Sequence, residues 1–321
     1  MNTDLRKAAD IAINTCMGVK KTETVLIVCD EPCREIGYEL FNSAKNSSFE
    51  TVLCEIEPRN SNGEEPPEQV SELLKSFDVA LIPTSRSLSH TDARREASKN
   101  GVRIATLPGI TTDSMVRTLS ADYNKIAVLS RKVAEILTIG KSVNIKTDKG
   151  TGITLNIEGR SGLPDTGLNH SRGNFSNLPA GEAYIAPMEN ISAGNIVFDG
   201  SMAGIGILND ENIIVRVKDG LAWGFDGGEC AKRLHSIMEP FGEAAFNVAE
   251  LGIGTNDKAV ISGNVLEDEK VLGTIHIAFG DNKSMGGTVG VASHLDGVIT
   301  APTITVDGKI IMEKGVLRID S

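Results

Sequence analysis

The chain has 321 residues, 40% hydrophobic and 23% charged, a composition typical of a folded protein with room for two cores. It carries 32 basic and 43 acidic residues, a formal charge of −11, with no dense basic patch and only 4% aromatic residues. Those figures argue against a nucleic-acid surface, an anionic-membrane surface or a stacking platform for single strands.

The first ~140 residues alternate between strand and helix patterns. Asp4 to Cys16 reads as a helix with Leu5, Ala8, Ile11 and Ala12 on one face. Val25 to Cys29 is a short continuous apolar run, the mark of a strand buried on both faces. A helix follows from Arg34 to Ala44, then a strand from Thr51 to Ile56. Pro66-Pro67 opens a helix through Val70, Leu73 and Leu74. Val79 to Pro83 and Val102 to Leu107 read as strands, with a helix over Thr91 to Lys99 between them. Ser120 is placed to cap a helix through Ile126, Leu129, Val133 and Leu137. This alternation predicts a doubly wound parallel sheet. No glycine fingerprint follows the first strand. Asp30-Glu31-Pro32-Cys33 stands there instead, and its acids would repel a pyrophosphate.

The pattern changes near residue 140. Val143 to Thr147, Gly152 to Ile157 and Ile213 to Val217 read as strands separated by Gly, Asp and Asn turns. Asp219-Gly220 and Asp307-Gly308 are hairpin signals. One helix, about Gly228 to Pro240, interrupts this half. The expected organisation is an α/β domain over 1–140, followed by a β-rich α+β metal-binding domain over 141–321. Gly200 to Gly206 is glycine-rich but lacks a Lys-Ser/Thr ending, so it reads as a turn.

Cys16, Cys29, Cys33, Cys54 and Cys230 are odd in number and irregularly spaced, which suits free thiols in a reducing compartment. No secretory pattern opens the chain, and no apolar run approaches the ~18 residues of a membrane span. A cytoplasmic protein is expected.

The chemistry concentrates in the second half. His294 and Asp296 lie two apart and on a strand would face the same side. With His276 they make two imidazoles and a carboxylate, a common divalent-metal set. Glu182 and Glu250 are isolated acids in apolar, glycine-rich stretches, where a buried carboxylate needs a cation or a metal. Other readings fit the same residues: a core histidine at 276, a surface pair at 294 and 296, and solvent-facing acids. His235 reads as an exposed helix residue. His170 sits in a polar loop, and His90 precedes a helix in the first half.

The segments Asn177-Leu178-Pro179-Ala180-Gly181-Glu182, Glu250 to Asn256, Gly273 to Ala278 and His294-Leu295-Asp296, in that order, resemble the aminopeptidase T type of leucyl aminopeptidase. Thr84 to Thr91 is also similar to that family. The resemblance implies a homodimer that hydrolyses N-terminal peptide bonds. It implies two divalent ions (Zn, Co or Mn) held by Glu182, Glu250, His276, His294 and Asp296. A metal-bound hydroxide would be the nucleophile. Asp281, Lys283 and His90 become candidate substrate-binding residues for a peptide or other small molecule. The sequence departs from the family at Lys283, where the peptidases carry a tyrosine seven positions after the first histidine. The related ring-cleaving dihydroxypyridine dioxygenases are the alternative, with a single iron on His276, His294 and Asp296. A non-catalytic binding protein on the same fold is a further class.

Overall fold

The computed structural model describes residues 3–209 and 211–319. The chain forms two compact units, Met1–Lys125 with Thr166–Ala180, and Ile126–Asp165 with Gly181–Ser321. The sequence suggests one boundary at 140, whereas the chain changes unit at 125, 165 and 180. Two local features explain the difference. A helix over Tyr123–Ile139, just before the expected boundary, buries Val133, Ala134 and Leu137 in the second core, and a short strand at 175–177 completes the first sheet.

The elements run α1 (Thr3–Asp10), β1 (Thr24–Asp30), α2 (Arg34–Ala44), β2 (Glu50–Ile56), α3 (Glu68–Leu74), β3 (Val79–Ile82), α4 (Asp92–Lys99), β4 (Arg103–Thr106) and α5 (Thr112–Thr118). Next come α6 (Tyr123–Ile139), β5 (Ser142–Lys146), β6 (Gly152–Asn156), β7 (Leu163–Asp165) and β8 (Phe175–Asn177). They are followed by β9 (Glu182–Ile185), β10 (Ala193–Phe198), β11 (Ser201–Met202), β12 (Gly206–Ile207), β13 (Ile213–Lys218), β14 (Leu221–Asp226) and α7 (Gly228–Met238). The last are β15 (Val248–Gly254), α8 (Val265–Asp268), β16 (Thr274–Gly280), β17 (His294–Thr300), β18 (Thr303–Val306), β19 (Lys309–Glu313) and β20 (Val316–Leu317).

The first unit is a parallel sheet in the order β2-β1-β3-β4-β8. Val25 to Val28 and Val79 to Ile82 are fully buried, as their unbroken apolar runs require. Helices α1, α2 and α5 pack together, and α3 packs with α4, so the sheet is doubly wound. Three local readings change. The first helix is α-helical only to Asp10 and continues in wider π turns over Ile11–Cys16. The α6 cap is Asp122, whose carboxylate accepts from the Asn124 and Lys125 amides. The Ser120 hydroxyl instead donates to the Arg117 carbonyl. Helix α5, too short to show a full apolar stripe, is an addition.

In the second unit, an eight-stranded sheet (β14-β13-β10-β6-β5-β18-β19-β20) packs on a seven-stranded one (β12-β11-β17-β16-β15-β9-β7). Their inner faces share one core, where Phe198 meets Phe279 edge-on at 5.9 Å. The two hairpins form where Asp219-Gly220 and Asp307-Gly308 take positive φ at both positions. His235 is partly buried on α7, with its ring against Phe225 and Phe246, because that face of the helix packs on β14. It is not the exposed residue expected.

Candidate metal centre

The site is built by strand alternation. Strands β9, β15, β16 and β17 are consecutive in the seven-stranded sheet. Ala183, Ile185, Leu251, Ile253, Ile275, Ile277, Phe279 and Ile299 point into the shared core. The alternate positions carry Glu182, Glu250, His276, His294 and Asp296 to the opposite face. Registers pair Glu250 with Ala278, Ala278 with Asp296, and Gly280 with His294, so the polar groups fall in adjacent rows.

Two local devices complete the arrangement. A β-bulge lies between Val248 and Glu250. Val248 and Leu251 both enter the core although they are three residues apart, so the bulge turns Glu250 to the other face. Gly252 stands opposite His276, and a Cβ there would lie 1.9 Å from His276 Cε1. The imidazole therefore occupies the space that any other residue's side chain would need.

The five predicted ligand residues come together. His276 Nε2 lies 3.1 Å from Glu250 Oε1 and 3.9 Å from Asp296 Oδ1. His294 Nε2 lies 3.1 Å from Glu250 Oε2 and 3.4 Å from Asp296 Oδ1. Donors about 2.1 Å from one ion at right angles lie about 3.0 Å apart, so these spacings match the edges of a single coordination shell. His294 Nδ1 donates to the Asp281 carbonyl at 2.8 Å, which leaves Nε2 free to coordinate. Glu182 stands behind His276, its Oε2 3.6 Å from Nδ1. Both of those atoms are buried without a hydrogen-bond partner. Glu269, His276 and Asp296 form a second converging group beside that of Glu250, His294 and Asp296.

Lys270, unremarked in the sequence reading, is 2% exposed and reaches Glu182 Oε1 at 2.7 Å and Glu269 Oε1 at 2.5 Å. Its only sequence signal is the run Glu267-Asp268-Glu269-Lys270, which resembles a solvated face. In the fold, Glu267 and Asp268 are buried too. They accept from the amides of Val260, Ser262 and Gly263 and so pin the loop before α8.

The charges shift one another. Burial raises the Glu182 carboxyl to about 7, against the pull of Lys270. Burial would also raise Glu250, but hydrogen bonds from His276 and His294 outweigh it and hold Glu250 below the ordinary range. Burial opposes protonation of His276, yet Glu250, Glu182 and Asp296 together raise it to about 10. His294 is likewise raised by Asp296 and Glu250 despite burial. Burying an ion costs several kcal/mol before compensation. A centre with this many carboxylates therefore demands cations, and two imidazoles can supply them as protons or give way to a metal.

The remaining predicted residues are less central. Asp281 contributes its backbone carbonyl to His294. Lys283 is exposed in the turn after β16, beside Gly290. His90 is exposed in the first unit, before α4, and His170 Nε2 bonds the Thr15 carbonyl there at 2.8 Å. The first unit also has a cavity of about 330 Å³ at the C-terminal ends of β1, β3 and β4, lined by Cys33, Glu35, Ser85 and Thr111 among others.

A family model described as 2,5-dihydroxypyridine 5,6-dioxygenase matches residues 6–319. Among solved structures, 2,5-dihydroxypyridine dioxygenase from Pseudomonas putida KT2440 is similar with a TM-score of 0.84 at 18% identity, over 100% of this chain and 99% of that one. Wild-type AmpT from Thermus thermophilus is similar with a TM-score of 0.72 at 15% identity, over 99% of each chain. No curated protein sequence matches. No described helix is long and apolar enough to cross a membrane.

Proposed function

The chain belongs to the 2,5-dihydroxypyridine 5,6-dioxygenase family, and on that premise we propose that it is a ring-cleaving dioxygenase with one iron ion on His276, His294 and Asp296. The expected peptidase family is replaced by the alternative named beside it, and the likeness to AmpT is one of fold. The observation that carries the reading is the convergence of two imidazole Nε2 atoms and Asp296 Oδ1 at 3.4 and 3.9 Å, the donor set of non-haem iron oxygenases. When bound, iron(II) supplies the one-electron chemistry that lets dioxygen react with an electron-rich ring.

The protein's part is positioning. The Asp281 carbonyl sets the His294 tautomer, and Glu182 faces Nδ1 of His276. Glu250, within 3.1 Å of both Nε2 atoms, would be a fourth donor and the second oxygen of the set. The substrate class is a dihydroxylated pyridine, whose ring hydroxyl can enter a position that the protein donors leave open. The two-metal hydrolase reading draws on Glu182 and Glu250 standing in the same cluster, but one Glu182 oxygen is already engaged by Lys270.

The test is anaerobic loading with iron(II), then addition of 2,5-dihydroxypyridine and oxygen. Loss of the ring's absorbance with equimolar oxygen uptake is the expected result. No oxygen uptake, together with release of amino acids from peptides by the cobalt- or zinc-loaded protein, would overturn the reading.

A further inference from the structure

Lys270 is a fully buried ammonium with no part in the iron site proposed above. It lies two residues after the end of α8, and its side chain runs to Glu182 behind His276. Nζ donates to Glu182 Oε1 at 2.7 Å and to Glu269 Oε1 at 2.5 Å, with Asp165 Oδ2 at 3.9 Å. Asp165 pairs with Glu182 in register across β7 and β9, so the acid cluster is built into the sheet. Carboxylate oxygens converging from three sides on one buried point are what a hard divalent cation takes. Here the point holds the chain's own cation. The free oxygen of Glu182 and Nδ1 of His276 face each other 3.6 Å apart, both buried and without another partner. Glu182 is thus tied at one oxygen to Lys270 and turned at the other toward a ring that reaches the metal donors through Nε2.

We propose that Lys270 is a built-in cation standing where a second divalent ion would otherwise bind, and that it limits the centre to one metal per chain. The inference rests on the one-metal reading of His276, His294 and Asp296. It also assigns Glu182 a role other than that of a metal ligand. Clamped by Lys270, it holds a carboxylate oxygen 3.6 Å from His276 Nδ1 and acts on that ring through its charge. Removing the ammonium takes from Glu182 and Glu269 the one cation that both now bond, and a divalent ion is the simplest group to replace it in that buried space.

The experiment counts metal in the full-length protein. Wild type, Lys270→Ala and Lys270→Met are loaded with excess cobalt(II), freed of unbound ion and analysed for metal per chain. One ion in wild type and two in the Lys270 variants is the expected result. The second ion should disappear when Glu269→Gln is added to Lys270→Ala. A folded Lys270 variant that still takes one ion overturns the proposal, as does a wild type that takes two. Should those variants not fold, Lys270→Gln, which removes the charge but keeps a donor to Glu182, is counted in their place. Two ions in that variant support the proposal, and one sinks it. The underlying site is judged separately in the wild-type background. If His294→Ala leaves the metal count unchanged, the ligand assignment fails whatever Lys270 does.

Discussion

Each unit buries a cation among carboxylates, and the two clusters differ in how completely they close. In the first unit, Arg103 is 4% exposed and grips both oxygens of Glu23, at 2.7 and 2.9 Å, while also donating to the Met17 carbonyl. One cation meets one acid in a bidentate pair. In the second unit, Lys270 meets Glu182 and Glu269, and beyond them lie Glu250 and Asp296 with only two imidazoles to answer them. The first cluster fastens the ends of the central strands. Both leave buried atoms without hydrogen-bond partners, Arg103 Nε in the first and His276 Nδ1 and Glu182 Oε2 in the second, but the second also holds more negative charge than its fixed cations neutralise. An unbalanced buried cluster is costly unless something arrives to complete it. That charge imbalance, rather than burial alone, sets the candidate centre apart from a structural ion pair.

The comparison breaks most visibly at the metal donors. Replacing His294 by Ala removes one Nε2 donor outright and should weaken metal binding by more than about 100-fold. Metal titration of the purified variant checks this. The secondary structure should be unchanged, because His294 is partly exposed at the start of β17. Next in size is Gly252→Ala. Its Cβ would fall 1.9 Å from the His276 ring, so the imidazole must swing away from Glu250. A loss of about 10–100-fold in metal affinity is expected, with the ligand residues all still present. Retained affinity would show that the ring has another place to go and that the close approach does not set its position.

These two variants also mark what the sequence could and could not reveal. His294 and Asp296 were legible because a strand's period of two puts i and i+2 on one side, and no distant contact is needed to see it. The strand–helix alternation of the first unit was legible for the same local reason. Glu250 could be named but not aimed, since its direction depends on a bulge that appears only when Val248 and Leu251 are both seen in the core. Gly252 matters through an atom it lacks, and nothing in its neighbours says that a ring will lie over it. Lys270 was hidden by its acidic run, because only the packing shows that Glu267 and Asp268 are buried and bond the amides of the loop before α8. The crossings at 165 and 180 were hidden because β8 is three residues long and finds its partner β4 about seventy residues away.

The smallest effect tests the closed side of the comparison. Glu23→Gln keeps the shape of the pair and removes its charge, so it should cost about 2 kcal/mol, between the values typical of exposed and buried pairs. It should leave the metal count as in wild type. The pH dependence carries the sign. The hydrogen bond from Arg103, opposed by burial, lowers the Glu23 carboxyl below its ordinary value of 4.5. A carboxyl depressed on folding contributes stability that is fully present above its unfolded value and is lost as pH falls through its folded one. The gap in urea midpoint between wild type and Glu23→Gln should therefore be full at pH 7 and shrink below about pH 4.5. A gap that stayed constant to lower pH would mean that the pair contributes through packing and not through charge. A change in metal content in this variant would show that the two clusters are energetically linked, and the contrast between a closed pair and an open centre would have to be abandoned.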